Sequence, residues 1–223
     1  MILSVDGKEY KVPTYLTIGK WSKLQNWMYN DFNTERIISI AMDMEMSEAN
    51  KLPDDIKKTC MFILTNMMLY KDKTPIGDMI DFNKMTIGDF IDLEIYIAGG
   101  IHNHIDPAFE KLWDGVEYDP DFSAHQIWFG LTKYFNFRKT IFNKYKSLFG
   151  LDKQTKKQND ELHITNQNDV ARVWYKLLLI LANDDFLKLD EVSDKPLIAA
   201  LNYLAYDKDR KTEELNRIKN MKK

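Results

Sequence analysis

The sequence predicts a mainly α protein, with an N-terminal β-hairpin packed on a multi-helix bundle that ends in a C-terminal helical pair. Three observations predict it. Only nine Gly and six Pro interrupt 223 residues. Long aromatic and aliphatic stretches recur at spacings of three and four, the period of a helix. One phrase is also written twice, as Thr17-Ile18-Gly19-Lys20-Trp21 with Leu24 and as Thr86-Ile87-Gly88-Asp89-Phe90 with Leu93. In both copies a Thr stands where its hydroxyl caps the free N–H groups of a new helix, and an aromatic and a Leu follow on one apolar face. The phrase predicts two helices that start and pack alike, and it carries no reactive group.

The elements follow in order. Ile2 to Val5 and Glu9 to Val12 flank Asp6-Gly7-Lys8, whose Asp-Gly supplies the positive φ angles of a tight turn. The first copy of the phrase opens a helix over 18–30, with Trp21, Leu24, Trp27 and Met28 on one side. A second helix spans 34–42, Ser47 caps a short turn, and a Met-rich helix covers 55–70. Thr86 caps the fourth, which Gly99-Gly100 stops; another occupies 102–113. The longest runs over 123–149, with Ile127, Leu131, Tyr134, Phe135, Phe142, Tyr145 and Phe149 as its inward stripe. The helical pair comes last, over 168–183 and 196–206, with Pro196 in a first turn. These readings divide the chain into a hairpin plus helical domain at 1–150, a polar linker or loop at 151–168, the helical pair at 169–206 and a charged tail at 207–223. The tail lacks apolar residues enough to pack, and reads as solvated or as a segment that folds on a partner.

Composition narrows the class. A formal net charge of −3 and 44% hydrophobic residues describe a conventional globular protein and argue against a general nucleic-acid binder, which needs surplus Lys and Arg. Cys60 is the single cysteine, so no intrachain disulfide forms, and its neighbours Met61, Phe62, Ile63 and Leu64 predict a buried thiol. The N-terminus turns polar too soon for a secretory signal, and no apolar run approaches the roughly 20 residues of a membrane span. The expected site of action is the cytoplasm of the cell that makes it, without a membrane partner.

Chemistry-bearing patterns are few. His102-Asn103-His104 with Asp106 has metal-ligating residue types, but residues two apart on a helix point about 200° away from one another and cannot share an ion. The acidic pairs Asp54-Asp55, Asp92 with Glu94, and Asp184-Asp185 read as helix caps and solvated faces. His125 and His163 are isolated. No catalytic residue, cofactor site or metal site is expected, and the chain is read as non-enzymatic. Residues 123–151 carry Lys133, Arg138, Lys139, Lys144 and Lys146 until Leu151 without an acid, interleaved with Tyr and Phe. The aromatics coincide with the inward stripe, so these five cations form the candidate partner-binding residues on a positive outer face. Eleven Met, among them Met42, Met44, Met46, Met67, Met68 and Met85, supply either soft binding surface or core.

Three phrases also carry a resemblance. They are Val5-Asp6-Gly7-Lys8-Glu9-Tyr10-Lys11-Val12-Pro13 followed by Leu16-Thr17-Ile18 and Trp21; Met85 to Glu94; and Trp174-Tyr175 with Leu177, Asp184-Asp185 and Pro196-Leu197 leading to Ala200-Leu201-Asn202-Tyr203-Leu204-Ala205. Together they resemble tail assembly chaperones and baseplate hub components of large, T4-like tailed bacteriophages. The resemblance spans most of the chain and implies a morphogenesis protein that binds another phage tail or baseplate protein, such as the tape measure protein. It names no site. The alternative is a structural subunit of the mature baseplate or neck, found in the virion, and a third reading is a metal- or nucleic-acid-binding enzyme. An oligomer is compatible with each.

Overall fold

The computed structural model describes residues 2–5, 7–30, 33–69, 76–149 and 167–221. The protein is mainly α. Two strands, β1 (Ile2–Val5) and β2 (Lys8–Lys11), pair antiparallel from Ile2↔Lys11 to Val5↔Lys8. The helices are α1 (Ile18–Asn30), α2 (Thr34–Met42), α3 (Met46–Lys51), α4 (Asp54–Leu69), α5 (Ile87–Ala98), α6 (Ile105–Glu110), α7 (Ala124–Lys144), α8 (Gln167–Leu181), α9 (Leu189–Ser193) and α10 (Leu197–Met221). Short 3-10 turns stand at Ile101–Asn103 and Phe186–Lys188.

These elements form two compact units, one from 1–78 and 102–132, the other from 79–101 and 133–223. The expected boundary at 150 is therefore not where the units part. The chain passes from the first unit to the second and back, and α7 gives residues 124–132 to the first and its remainder to the second. The polar stretch 151–166 lies outside the described residues, and 167 and 168 already belong to α8.

The repeated phrase opens one helix in each unit, and the surroundings of the two copies match. In the first unit Ile18 N donates to Phe122 O and Ala124 N donates to Leu16 O, both at 2.7 Å, so that Thr17 and Ser123 form an isolated antiparallel bridge. In the second, Ile87 N donates to Lys195 O and Leu197 N to Met85 O, both at 2.9 Å, around a Thr86–Pro196 bridge. Each pair of helix starts thus satisfies donors that a lone helix leaves open. The threonines cap as expected: Thr17 Oγ1 accepts from Lys20 N at 3.3 Å and Thr86 Oγ1 from Asp89 N at 3.0 Å. The glycine of each phrase faces the incoming segment. A Cβ on Gly19 would stand 3.1 Å from the Pro120 side chain, and one on Gly88 would stand 3.1 Å from Ser193 O.

The first unit packs α1 on α2 and α2 on α4, and buries Leu16, Ile18, Trp21, Leu24, Ile37, Ile38 and Leu131. Its hairpin is tied to α3 by Lys8 and Tyr10, both bonded to the Glu48 carboxylate, which they hold below the usual range. The second unit packs α5 on α8 and on α10, and buries Ile87, Phe90, Leu93, Tyr134, Trp174, Leu197 and Leu201. Phe90 meets the edge of Trp174 at 5.4 Å.

Five expectations change. The helix over 102–113 is a 3-10 turn at Ile101–Asn103 followed by α6 at Ile105–Glu110. The helix over 123–149 ends at Lys144 and continues as turns over 145–149. Phe135, placed on its inward stripe, is 41% exposed. Ser47 does not cap α3, whose N-cap is Glu45; Ser47 lies one residue inside the helix. Most consequential, the charged tail is helix as far as Met221, because Leu197, Leu201 and Leu204 anchor the first turns of α10 and the rest propagates from that nucleus. Of the Met set, Met42, Met44, Met67 and Met85 are buried and Met46 is exposed, so these residues are chiefly core. Cys60 is buried as expected, and burial pushes its thiol up.

Trp21→Ala and Phe90→Ala each remove a large ring from the same place in a matched frame, and each is expected to destabilise its unit by about 3–5 kcal/mol. Urea unfolding checks this. Wild-type stability in either variant would mean that the repeated phrase does not organise the cores.

Candidate partner-binding surface

α5 and the second part of α7 face each other through a polar contact inside the second unit. Phe90, Leu93 and Glu94 lie on the inward side of α5, and Glu94 is only 6% exposed. At about 100° per residue, Tyr134, Arg138 and Ile141 fall within roughly 60° of arc on α7. The chain thereby brings a carboxylate, a phenol and a guanidinium together. Tyr134 Oη donates to Glu94 Oε1 at 2.9 Å, Arg138 Nε donates to Oε1 at 2.6 Å, and Arg138 Nη2 donates to Oε2 at 2.9 Å. The guanidinium also lies 4.5 Å from the Phe142 ring centre.

This is the two-pronged geometry that best satisfies a buried carboxylate. Burial works against the Arg138 charge, yet the Glu94 bonds outweigh it and hold the group above its usual range. Tyr134 is pushed well above the ordinary tyrosine value, first by burial and then by the Glu94 charge. The arrangement fixes α7 against α5. Both oxygens of the Glu94 carboxylate are thereby engaged.

Arg138 therefore leaves the set of cations available to a partner, because it lies on the inward arc rather than outside it. The other four are exposed. Lys133 and Lys144 lie on one flank of α7, about 80–100° from Tyr134, while Lys139 lies about 140° around the other way. Lys144 Nζ stands 5.3 Å from the Tyr145 ring centre, and Lys146 belongs to the turns after α7. The five do not form a single positive face. What the helix does place together is Phe135 and Lys139, one turn apart on its outward side. Lys139 and Lys146 make no ion pair among the described residues.

Asp92 and Glu94 were expected to be solvated alike, and Glu94 is not. The signal was present in the spacing: Glu94 follows Phe90 by four and Arg138 follows Tyr134 by four, so each shares the apolar stripe of its helix. His102 lies in the 3-10 turn, where its carbonyl accepts from Ser22 Oγ at 2.6 Å, and His104 is the N-cap position of α6. Among the described residues no group of three His, Cys, Asp or Glu is arranged to hold a metal. No described helix is long and apolar enough to cross a membrane. In the first unit, a surface groove of about 670 Å³ is lined by residues that include Lys20, Lys23, Asp43, Glu45, Met46 and Asp121, and Lys20 is already paired with Asp43 at 2.5 Å.

Comparison with family models, with curated proteins and with solved structures finds no match.

Arg138→Ala strands the Glu94 carboxylate. Because the arginine is partly exposed and water reaches the gap, the expected loss is about 2–3 kcal/mol rather than the ~3–5 of a fully buried pair. Urea unfolding measures it, and a loss below about 0.5 kcal/mol, the scale of a surface pair, would show that the contact does not hold α7.

Tyr134 adds an alkaline signature. The unfolded chain ionises tyrosine near pH 10 whereas the buried phenol keeps its proton, so the native state binds more protons and stability falls as pH rises past about 10. Between pH 9 and 11, wild type is expected to lose more stability than Tyr134→Phe. Parallel curves would contradict the burial argument.

Proposed function

We propose that this protein is a non-enzymatic morphogenesis protein of tailed bacteriophages that binds another tail or baseplate protein during assembly. Two lines support the reading: the resemblance of three phrases across most of the chain, and the outward side of α7. The observation that carries the binding surface is the pairing of exposed Phe135 with Lys139, at one helical turn, on a helix whose inner side is locked by Glu94 and Arg138. Aromatic rings are enriched in the centres of protein interfaces and lysines are depleted there, so Phe135 suits the middle of a contact and Lys139 its rim. Charge on the helix steers the approach of an acidic partner, and ring burial sets how long the complex lasts.

The partner is expected to co-purify from infected cells, and mass spectrometry of purified virions separates an assembly factor from a retained baseplate subunit. With the partner in hand, Lys139→Glu with Lys146→Glu is expected to slow association at least threefold at low salt, with the difference shrinking as salt screens the charges. Melting temperature is expected to stay within a degree or two, because both side chains lie off the buried stripe. Unchanged association at every salt concentration would remove these residues from the interface.

A further inference from the structure

The last half of α10 runs out of its unit's core, tied back to it through Lys208. Residues 208–221 are exposed without exception, and over about 1.5 Å per residue they extend some 20 Å. Their pattern is nonetheless ordered. Leu201, Leu204, Lys208, Lys211, Leu215 and Ile218 alternate at spacings of three and four, the a and d places of successive heptads. Leu201 and Leu204 are consumed by the unit's core. Lys208 reaches the Ser147 carbonyl and Lys211 pairs with Asp207 at 2.7 Å, which draws both ammonium groups back toward the body. Beyond them the seam continues as Leu215 and Ile218, 58% and 40% exposed, with Met221 beside them at 78%.

We propose that this segment is a self-association helix, which pairs in parallel with the same segment of a second copy of the chain. Charge fixes both the occupant and the direction. With Leu215 at a and Ile218 at d, Glu214 occupies a g place and Lys219 the e place five residues on. Those are the two positions that meet across a parallel coil, so each Glu214 faces the other copy's Lys219, and the pair forms twice by symmetry. In the antiparallel arrangement Glu214 would face Met221 and Lys219 would face Thr212, and neither charge would be answered. The seam is self-complementary in one direction only. Leucine at a with isoleucine at d shifts the preference toward coils of three or four strands, so the copies gather in threes or fours as well as in twos.

Sedimentation equilibrium of the full chain tests this. The expected mass rises with concentration from 26.3 kDa toward two to four times that value. Leu215→Asp with Ile218→Asp is expected to hold the protein at monomer mass with the body's melting temperature unchanged, since neither side chain touches its core. Glu214→Lys or Lys219→Glu alone places like charges together and is expected to weaken association about five- to tenfold, and the double swap is expected to restore it. Ile218→Cys is expected to form an interchain disulfide on mild oxidation, as parallel copies set that position against itself. Monomer mass up to ~1 mM, where even millimolar affinity would register, overturns the proposal. So does an oligomer that survives the Asp pair, or a double swap no better than either single change.

Discussion

Each unit closes where two helix starts meet back to back. Segments 16–18 and 122–124, and again 85–87 and 195–197, come together from far apart in the chain and exchange two main-chain hydrogen bonds. Everything near the contact follows from it. The residue before each helix must reach the other backbone, so the third residue of the phrase is glycine, in a place where a methyl group would press on Pro120 or Ser193. The isoleucine between threonine and glycine is drawn to zero exposure in both copies. The aromatic one turn later, Trp21 or Phe90, then has a fixed depth in its core.

The bridge also explains a dissimilarity that the sequence conceals. The phrase is legible because both copies keep their letters, whereas their partners, Phe122-Ser123-Ala124 and Lys195-Pro196-Leu197, share none. Main-chain pairing asks little of side chains. The bonds run through the flanking residues, and the central residue of the partner segment, Ser123 or Pro196, donates no N–H to the bridge. A proline is tolerated there for that reason. Half of the repeat could therefore be read from residue types, and the other half only from backbone geometry.

The same division governs the rest of the chain. Helices that start on a capping residue and carry one apolar stripe, such as α1, α2 and α5, were legible to within a residue. Two of the failures involved charge. Glu94 looked like a surface acid because acids usually are; its spacing from Phe90 puts it on the apolar stripe, but the partner that satisfies it there is Arg138, 44 residues away. The 207–223 segment looked unfolded because its composition is polar, but a helix anchored by Leu197, Leu201 and Leu204 need not nucleate again to continue. Composition identifies residues that cannot form a core; it does not forbid them from extending a helix that other residues anchor.

Arg138 spends its charge on Glu94, so the inner side of α7 is settled before any partner arrives, and the remaining lysines sit on different flanks of the helix. A field spread in that way attracts an acidic partner from many directions without fixing its orientation. Orientation must come from contacts that tolerate only one pose, and on the second unit's part of this helix Phe135 is an exposed ring placed one turn from a cation. Charge would then govern how often partners meet, and one aromatic ring how they stay, so that losing the ring shortens the life of a complex whose rate of formation is unaltered.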